Sequence, residues 1–135
     1  MQPIYTDEKT FDIIPERMLW LNVIELAIKD ADYRQNFAVF KKNNEKKRAI
    51  KAKDDDERKI KLERRKKYFA DQKSLLKTDA LSAWQFLAGS GLDGVCSALS
   101  LDADHLRINL KKEHSWAKIL FSENGLNSLI ALNFR

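Results

Sequence analysis

A small, mainly α-helical domain is the fold class that the sequence predicts, on three observations. Apolar residues recur three and four apart through most of the chain, the period of a helix buried on one side. Glycines and short acidic residues fall where such helices should stop and start. Residues 91–112, GLDGVCSALSLDADHLRINLKK, have the spacing of two short helices joined by a tight turn, a helix-turn-helix. At 135 residues the chain has the size of one domain, 1–135. The predicted domain has a helix-turn-helix-like corner and a long charged helix or tether in the middle, over residues 41–67. A short C-terminal hairpin is an option.

The apolar fraction of 44% supports one core, and the charged fraction of 33% makes the chain charge-rich. The net charge of +5 is unevenly distributed. Residues 41–68 hold 14 Lys and Arg against 6 Asp and Glu, a local charge of +8; the remainder, 11 against 14, carries −3. A basic segment of this kind favours an anionic partner such as nucleic acid. Cys96 is the only cysteine, which excludes an intrachain disulfide and a cysteine zinc site and suits a reducing compartment. No apolar run approaches the roughly 18 residues of a membrane span. The N-terminal MQPIYTDEKTFDII carries acids and no basic-then-apolar leader pattern. The expectation is a cytoplasmic, soluble protein without a membrane partner.

Taken in order, residues 1–14 show no clear period and read as an extended arm with Ile4, Tyr5, Phe11, Ile13 and Ile14 available for packing. Pro15 suits the first turn of a helix over residues 15–31, and Glu16 places negative charge at the positive end of its dipole. Leu19, Val23, Leu26 and Ala27 mark one line of this helix; Trp20, Ile24, Ile28 and Ala31 mark the next. A face this wide predicts a mostly buried, central helix, with Trp20 a core anchor. The run Asp30-Ala31-Asp32 reads as a break, after which Tyr33, Phe37 and Phe40 continue at helical spacing.

Residues 41–67 (KKNNEKKRAIKAKDDDERKIKLERRKK) are mostly good helix formers with few apolar positions. Leu62, Phe69 and Leu76 are seven apart, but the second seam falls on Arg58, Arg65 and Gln72, so no coiled coil is expected. The acids Asp54 to Glu57 divide two basic patches and can pair with Lys or Arg three or four residues on. Tyr68, Phe69, Leu75 and Leu76 return to the core. Thr78 or Asp79 is placed to cap a helix over residues 80–88, ended by Gly89-Ser90-Gly91.

In the corner, Cys96 supplies a small residue where the helices cross and reads as a buried hydrophobe. The left-handed position of the turn falls on Ser100. Asp102 caps the second helix, with Leu101 before it and Leu106 after it at staple spacing. Gly94 is a defect inside the first helix. Beyond the corner, Trp116 to Phe121 and Leu126 to Phe134 flank Asn124-Gly125. This dipeptide is a hairpin signal, but the flanking apolar residues favour helix, with Gly125 ending one.

No catalytic residue is identifiable: the sequence has no Ser-His-Asp pattern and no phosphate loop. His105 and His114, the only histidines, read as surface residues, so neither a metal nor a cofactor is expected. The usable groups for nucleic acid are His105, Arg107, Asn109 and Lys111 on the second corner helix. Two basic clusters, Lys46-Lys47-Arg48 and Arg64-Arg65-Lys66-Lys67, add phosphate contacts. Arg107 is the leading candidate for a base or phosphate contact, while Asp102 and Asp104 at the start of the helix oppose one.

Two stretches carry a resemblance. LWLNVIELAIKDA over residues 19–31 and VCSALSLDADHLR over residues 95–107, with Ala80 and Trp84 between them, resemble a group of small phage and prophage proteins. That group has an LWxxVIxxAIxDA helix and a VCxxLGLDxxxxR element. The chain departs from it at Ser100, where the group tends to have Gly, and in its basic segment and tail. The resemblance implies a phage-like origin and a helical fold; proteins like these are sometimes taken for regulators. The functional expectation is a non-enzymatic nucleic-acid-binding or regulatory protein, with DNA favoured over RNA. The alternative is a phage-related interaction or assembly protein whose basic helix binds an acidic protein partner. Either reading is compatible with a homo-oligomer.

Overall fold

The computed structural model of the chain describes residues 2–45 and 50–134, with side chains described from Pro15 onward. The described residues form seven α-helices and no strand.

The first helix, α1 (Gln2–Ala31), corrects the expectation of an extended arm followed by a helix start at Pro15: the helix begins at Gln2 and Pro15 lies inside it. An interior proline forfeits one backbone hydrogen bond, and the turns on both sides carry the helix across that gap. Burial is corrected as well. Ile24, Ala27 and Ala31 are buried in one narrow strip, whereas Leu19 and Leu26 are 60% and 59% exposed and Trp20 37%. The wide apolar face meets a neighbour along one side only, so α1 flanks the core instead of crossing it.

The break falls at Asp32, as the acid-rich run predicts, and α2 (Tyr33–Glu45) follows. Two side chains satisfy carbonyls left open at the end of α1. Trp84 Nε1 donates to the Ala31 carbonyl at 2.8 Å, and Asn36 Nδ2 donates to Lys29 at 2.9 Å.

The spine of the fold is α3 (Asp55–Ala88), 34 residues and about 50 Å long. Its start explains the Asp54–Glu57 run. Asp54 is the N-cap and accepts from Glu57 N at 2.8 Å; Glu57 reaches back to Lys53 N at 2.9 Å. Three acids then sit in the first turn, against the positive end of the helix dipole. Glu57 also pairs with Lys61 at 3.0 Å, the i,i+4 partner expected. The separate helix over residues 80–88 is corrected. Thr78 is interior, and its hydroxyl donates to the Ser74 carbonyl instead of capping a new start. α2 lies against α3 through Phe37 and Phe40, whose ring centroids are 6.1 Å and 5.2 Å from Phe69.

α3 stops at Gly89, where a Cβ would come within 2.7 Å of the Gln85 carbonyl oxygen. α4 (Ser90–Ala98) begins at the next residue. Its end is a Schellman motif: Leu101 N donates to Cys96 O at 2.7 Å and Ser100 N to Ser97 O at 3.1 Å, with Ser100 left-handed at φ 57°. Asp102 then caps α5 (Ala103–Glu113), accepting from Asp104 N and His105 N. Turn, left-handed serine and cap agree with the sequence. Leu101, the outer half of the proposed staple, is 45% exposed.

The C-terminal segment is helical: α6 (Ser115–Leu120) and α7 (Gly125–Asn133). The optional hairpin is therefore absent from the described residues. Asn124 takes the left-handed conformation at φ 55°, as an Asn-Gly turn would require, but Gly125 then opens a helix. Gly125 is buried, and a Cβ there would collide with the Ile119 and Leu120 carbonyls. One core joins Trp84 and Leu87 of α3, Leu92 and Cys96 of α4, Leu110 of α5, Ala117 and Leu120 of α6 and Leu129 of α7.

Candidate nucleic-acid interface

The corner helix α5 packs inward through Leu106 and Leu110. Its polar residues separate onto two edges. At 100° per residue, His105 and Asn109 lie on one edge, and Arg107 and Lys111 lie roughly opposite. His105 is exposed; Asn109 and Lys111 are half-buried. The four residues expected to meet a groove together are therefore not brought to one face.

Arg107 is turned into the fold, with its side chain 16% exposed. Its Nε donates to the Leu87 carbonyl and its Nη2 to the Gly89 carbonyl, each at 3.0 Å. Nη1 bonds Asp93 at 3.0 Å and Asp104 at 3.3 Å. One guanidinium thus satisfies carbonyls at the end of α3 and ties α5 to α4. The planar five-donor fork makes this fan of bonds; an ammonium could not. The sequence reading missed this role. Asp93, Asp104 and Arg107 are charged neighbours in a corner, which is a signal, but the paired carbonyls leave no trace in the sequence.

Beside Arg107, an open depression of about 520 Å³ is lined by Asp104, Arg107, Ile108 and Lys111 of α5 and by Leu120, Phe121 and Ser122. Its guanidinium is already committed to protein acceptors. Cys96 is 1% exposed, and burial pushes its thiol up from the ordinary value, against the opposing pull of Arg107. It is a core residue and a poor nucleophile. Among the described residues no group of three or more His, Cys, Asp or Glu could hold a metal ion. Among them, too, no helix is long and apolar enough to cross a membrane.

The second candidate surface is the N-terminal half of α3. Fully buried residues on α3 begin at Ala80, and Leu76 is the first of its side chains to pack, partly buried, against the core, so the helix before residue 76 extends beyond it with α2 along one side. Arg64, Arg65, Lys66 and Lys67 are all exposed there. Lys46, Lys47 and Arg48 lie outside the described residues. The connector before α3 folds back on it: Lys61 Nζ donates to the Lys51 carbonyl at 2.6 Å. From Lys67 to Leu87, whose carbonyl Arg107 holds, α3 rises about 30 Å. The corner and the basic cluster therefore stand apart along one helix and do not form a single site.

That several apolar side chains of α1 stay exposed is a feature the periodicity did not reveal. No family model, no curated protein and no solved structure matches the chain.

Proposed function

We propose that this protein is a non-enzymatic, cytoplasmic nucleic-acid-binding protein that grips the phosphate backbone of duplex DNA with the arm formed by α2 and the first half of α3. The observation that carries the reading is the concentration of +8 in residues 41–68, with the described part of this segment on a solvent-exposed arm. Cations spaced along a helix neutralise successive phosphates and release counterions, which gives affinity without reading sequence. The helix-turn-helix-like corner supports a lesser role in this reading, because Arg107 is satisfied internally and Asp102 and Asp104 head α5. His105 and Asn109 remain available at its edge for a base or phosphate contact. A regulatory setting, such as control of transcription, is part of the same reading.

A specific observation favours a second reading, a phage-related assembly protein that docks an acidic protein on the same arm. Ile60 and Leu62, 51% and 43% exposed, lie among the cations. Apolar groups between charges suit a protein surface better than a phosphate row.

Fluorescence anisotropy of a labelled duplex, titrated with the full chain at increasing salt, tests the proposal. Binding should weaken steeply, with a log–log slope near −0.9 per phosphate contact. The triple variant R64A/K66A/K67A should flatten the slope by about 2–3. An RNA duplex of equal length distinguishes the two nucleic acids. The absence of binding at low salt, or a triple variant with unchanged slope and affinity, would overturn the reading.

A further inference from the structure

Where α3 enters the core, an open depression of about 310 Å³ lies between it, the start of α2 and the end of α7. Arg34, Lys73 and Lys77 line it, together with the rings of Tyr33, Phe37 and Phe134. We propose that this depression is a binding site for a phosphorylated small molecule, with the three cations on its phosphates and the rings against its organic part.

Three features favour such a ligand. The first is charge. Among the described residues no acid lines the depression, and none of the three cations makes an ion pair or a hydrogen bond through its side chain. Asp32, two residues before Arg34, lines the neighbouring depression, and its carboxylate accepts from the Gln35 N–H at 3.3 Å. Lys73 and Lys77 are four apart on α3, a like-charge pair that destabilises the free helix and that an anion between them would offset. The second is placement. Lys73 Nζ lies 5.2 Å from the centroid of the Phe37 ring, and Lys77 Nζ 5.7 Å from that of Phe134. Phe37 belongs to α2 and Phe134 ends α7, so each ammonium is held toward a different neighbour of α3 before any ligand arrives, which lowers the cost of ordering it. Arg34 is exposed, and its planar fork can close on a phosphate in two parallel bonds. The third is the wall. Tyr33 stands between the two phenylalanines, its ring centroid 5.9 Å from Phe37 and 5.1 Å from Phe134. A bare inorganic ion gains nothing from a run of three rings, whereas a flat organic group does. The volume lies at the lower end of small-molecule pockets.

Isothermal titration calorimetry of the full chain with pyrophosphate and, separately, with ADP gives the test. Pyrophosphate should bind with a dissociation constant below about 1 mM, and ADP about tenfold more tightly because its base meets the rings. No binding of either at about 10 mM overturns the proposal, and equal affinities overturn the part assigned to the rings. Arg34→Gln alters an exposed residue, and Lys73→Met with Lys77→Met keeps the apolar stems beside the rings. Each variant should weaken ADP by about tenfold or more, with helical circular dichroism unchanged. Either variant binding ADP as tightly as the parent overturns the site. If the double variant loses helix content, amide chemical shifts of the parent decide the case. ADP should move the resonances of residues 33–37, 73–77 and 133–134, and changes centred elsewhere overturn the site. None of these outcomes depends on whether the chain binds duplex DNA.

Discussion

Replacing Arg107 by methionine keeps much of its aliphatic stem and removes every donor. In the folded protein, Nε and Nη2 each make a 3.0 Å bond to a carbonyl at the end of α3. A hydrogen bond from a charged group contributes about 1.5–3 kcal/mol, and part of that returns where water reaches the freed carbonyl. The pairs with Asp93 and Asp104 add less, because those carboxylates are 55% and 87% exposed; each pair is worth about 0–1 kcal/mol. The expected loss for Arg107→Met is about 2–4 kcal/mol, or a fall in melting temperature of roughly 10 °C for a chain of this size. Arg107→Lys should recover less than half of it, since one ammonium cannot span both carbonyls and both carboxylates. Urea unfolding followed at 222 nm measures the loss, and duplex anisotropy on the same samples measures binding. A variant with stability within about 0.5 kcal/mol of the parent but much weaker DNA binding would refute the structural role. Arg107 would then be the groove contact that its place on α5 first suggested.

Two further outcomes follow from local geometry. Gly125→Ala should destabilise by about 3 kcal/mol or more, because a Cβ there collides with the Ile119 and Leu120 carbonyls; a melting temperature within a few degrees of the parent contradicts this. The carboxyl of Glu57 should titrate below its ordinary value of 4.5, held down first by the Lys53 N–H and then by Lys61. Its contribution to α3 is then complete above pH 4.5 and lost as pH falls through its lowered folded value. An NMR midpoint at or above 4.5 contradicts that capping role.

Several elements were legible because their causes are local. Gly89 as a stop, Ser100 as the left-handed turn residue and Asp102 as a cap all act within four residues, and all hold in the structure. By composition the Asp54–Glu57 run divides two basic patches. It is an N-cap with an acid three residues on, and that spacing is itself a start signal that could have been recognised. Thr78 misled because a threonine before an alanine-rich stretch resembles a cap, while its hydroxyl can equally bond back to the carbonyl four residues earlier. The candidate site was less legible. The sequence located the positive charge correctly by position. It did not reveal that Arg107 points inward or that α3 holds the corner and the basic cluster about 30 Å apart.

By itself, then, the sequence determined the helical class, most of the helix ends after residue 31 and where charge is concentrated along the chain. Caps, turn residues and 3.6-residue periodicity write those features within a few positions of one another. The tertiary structure decided which apolar side of α1 was covered and which was left open. It also turned Arg107 from a surface cation into a clamp across the ends of α3 and α4. Coverage depends on which helices the chain path brings alongside, and Arg107 is held by carbonyls up to 20 residues away, so neither fact is recorded in the spacing of neighbouring residues.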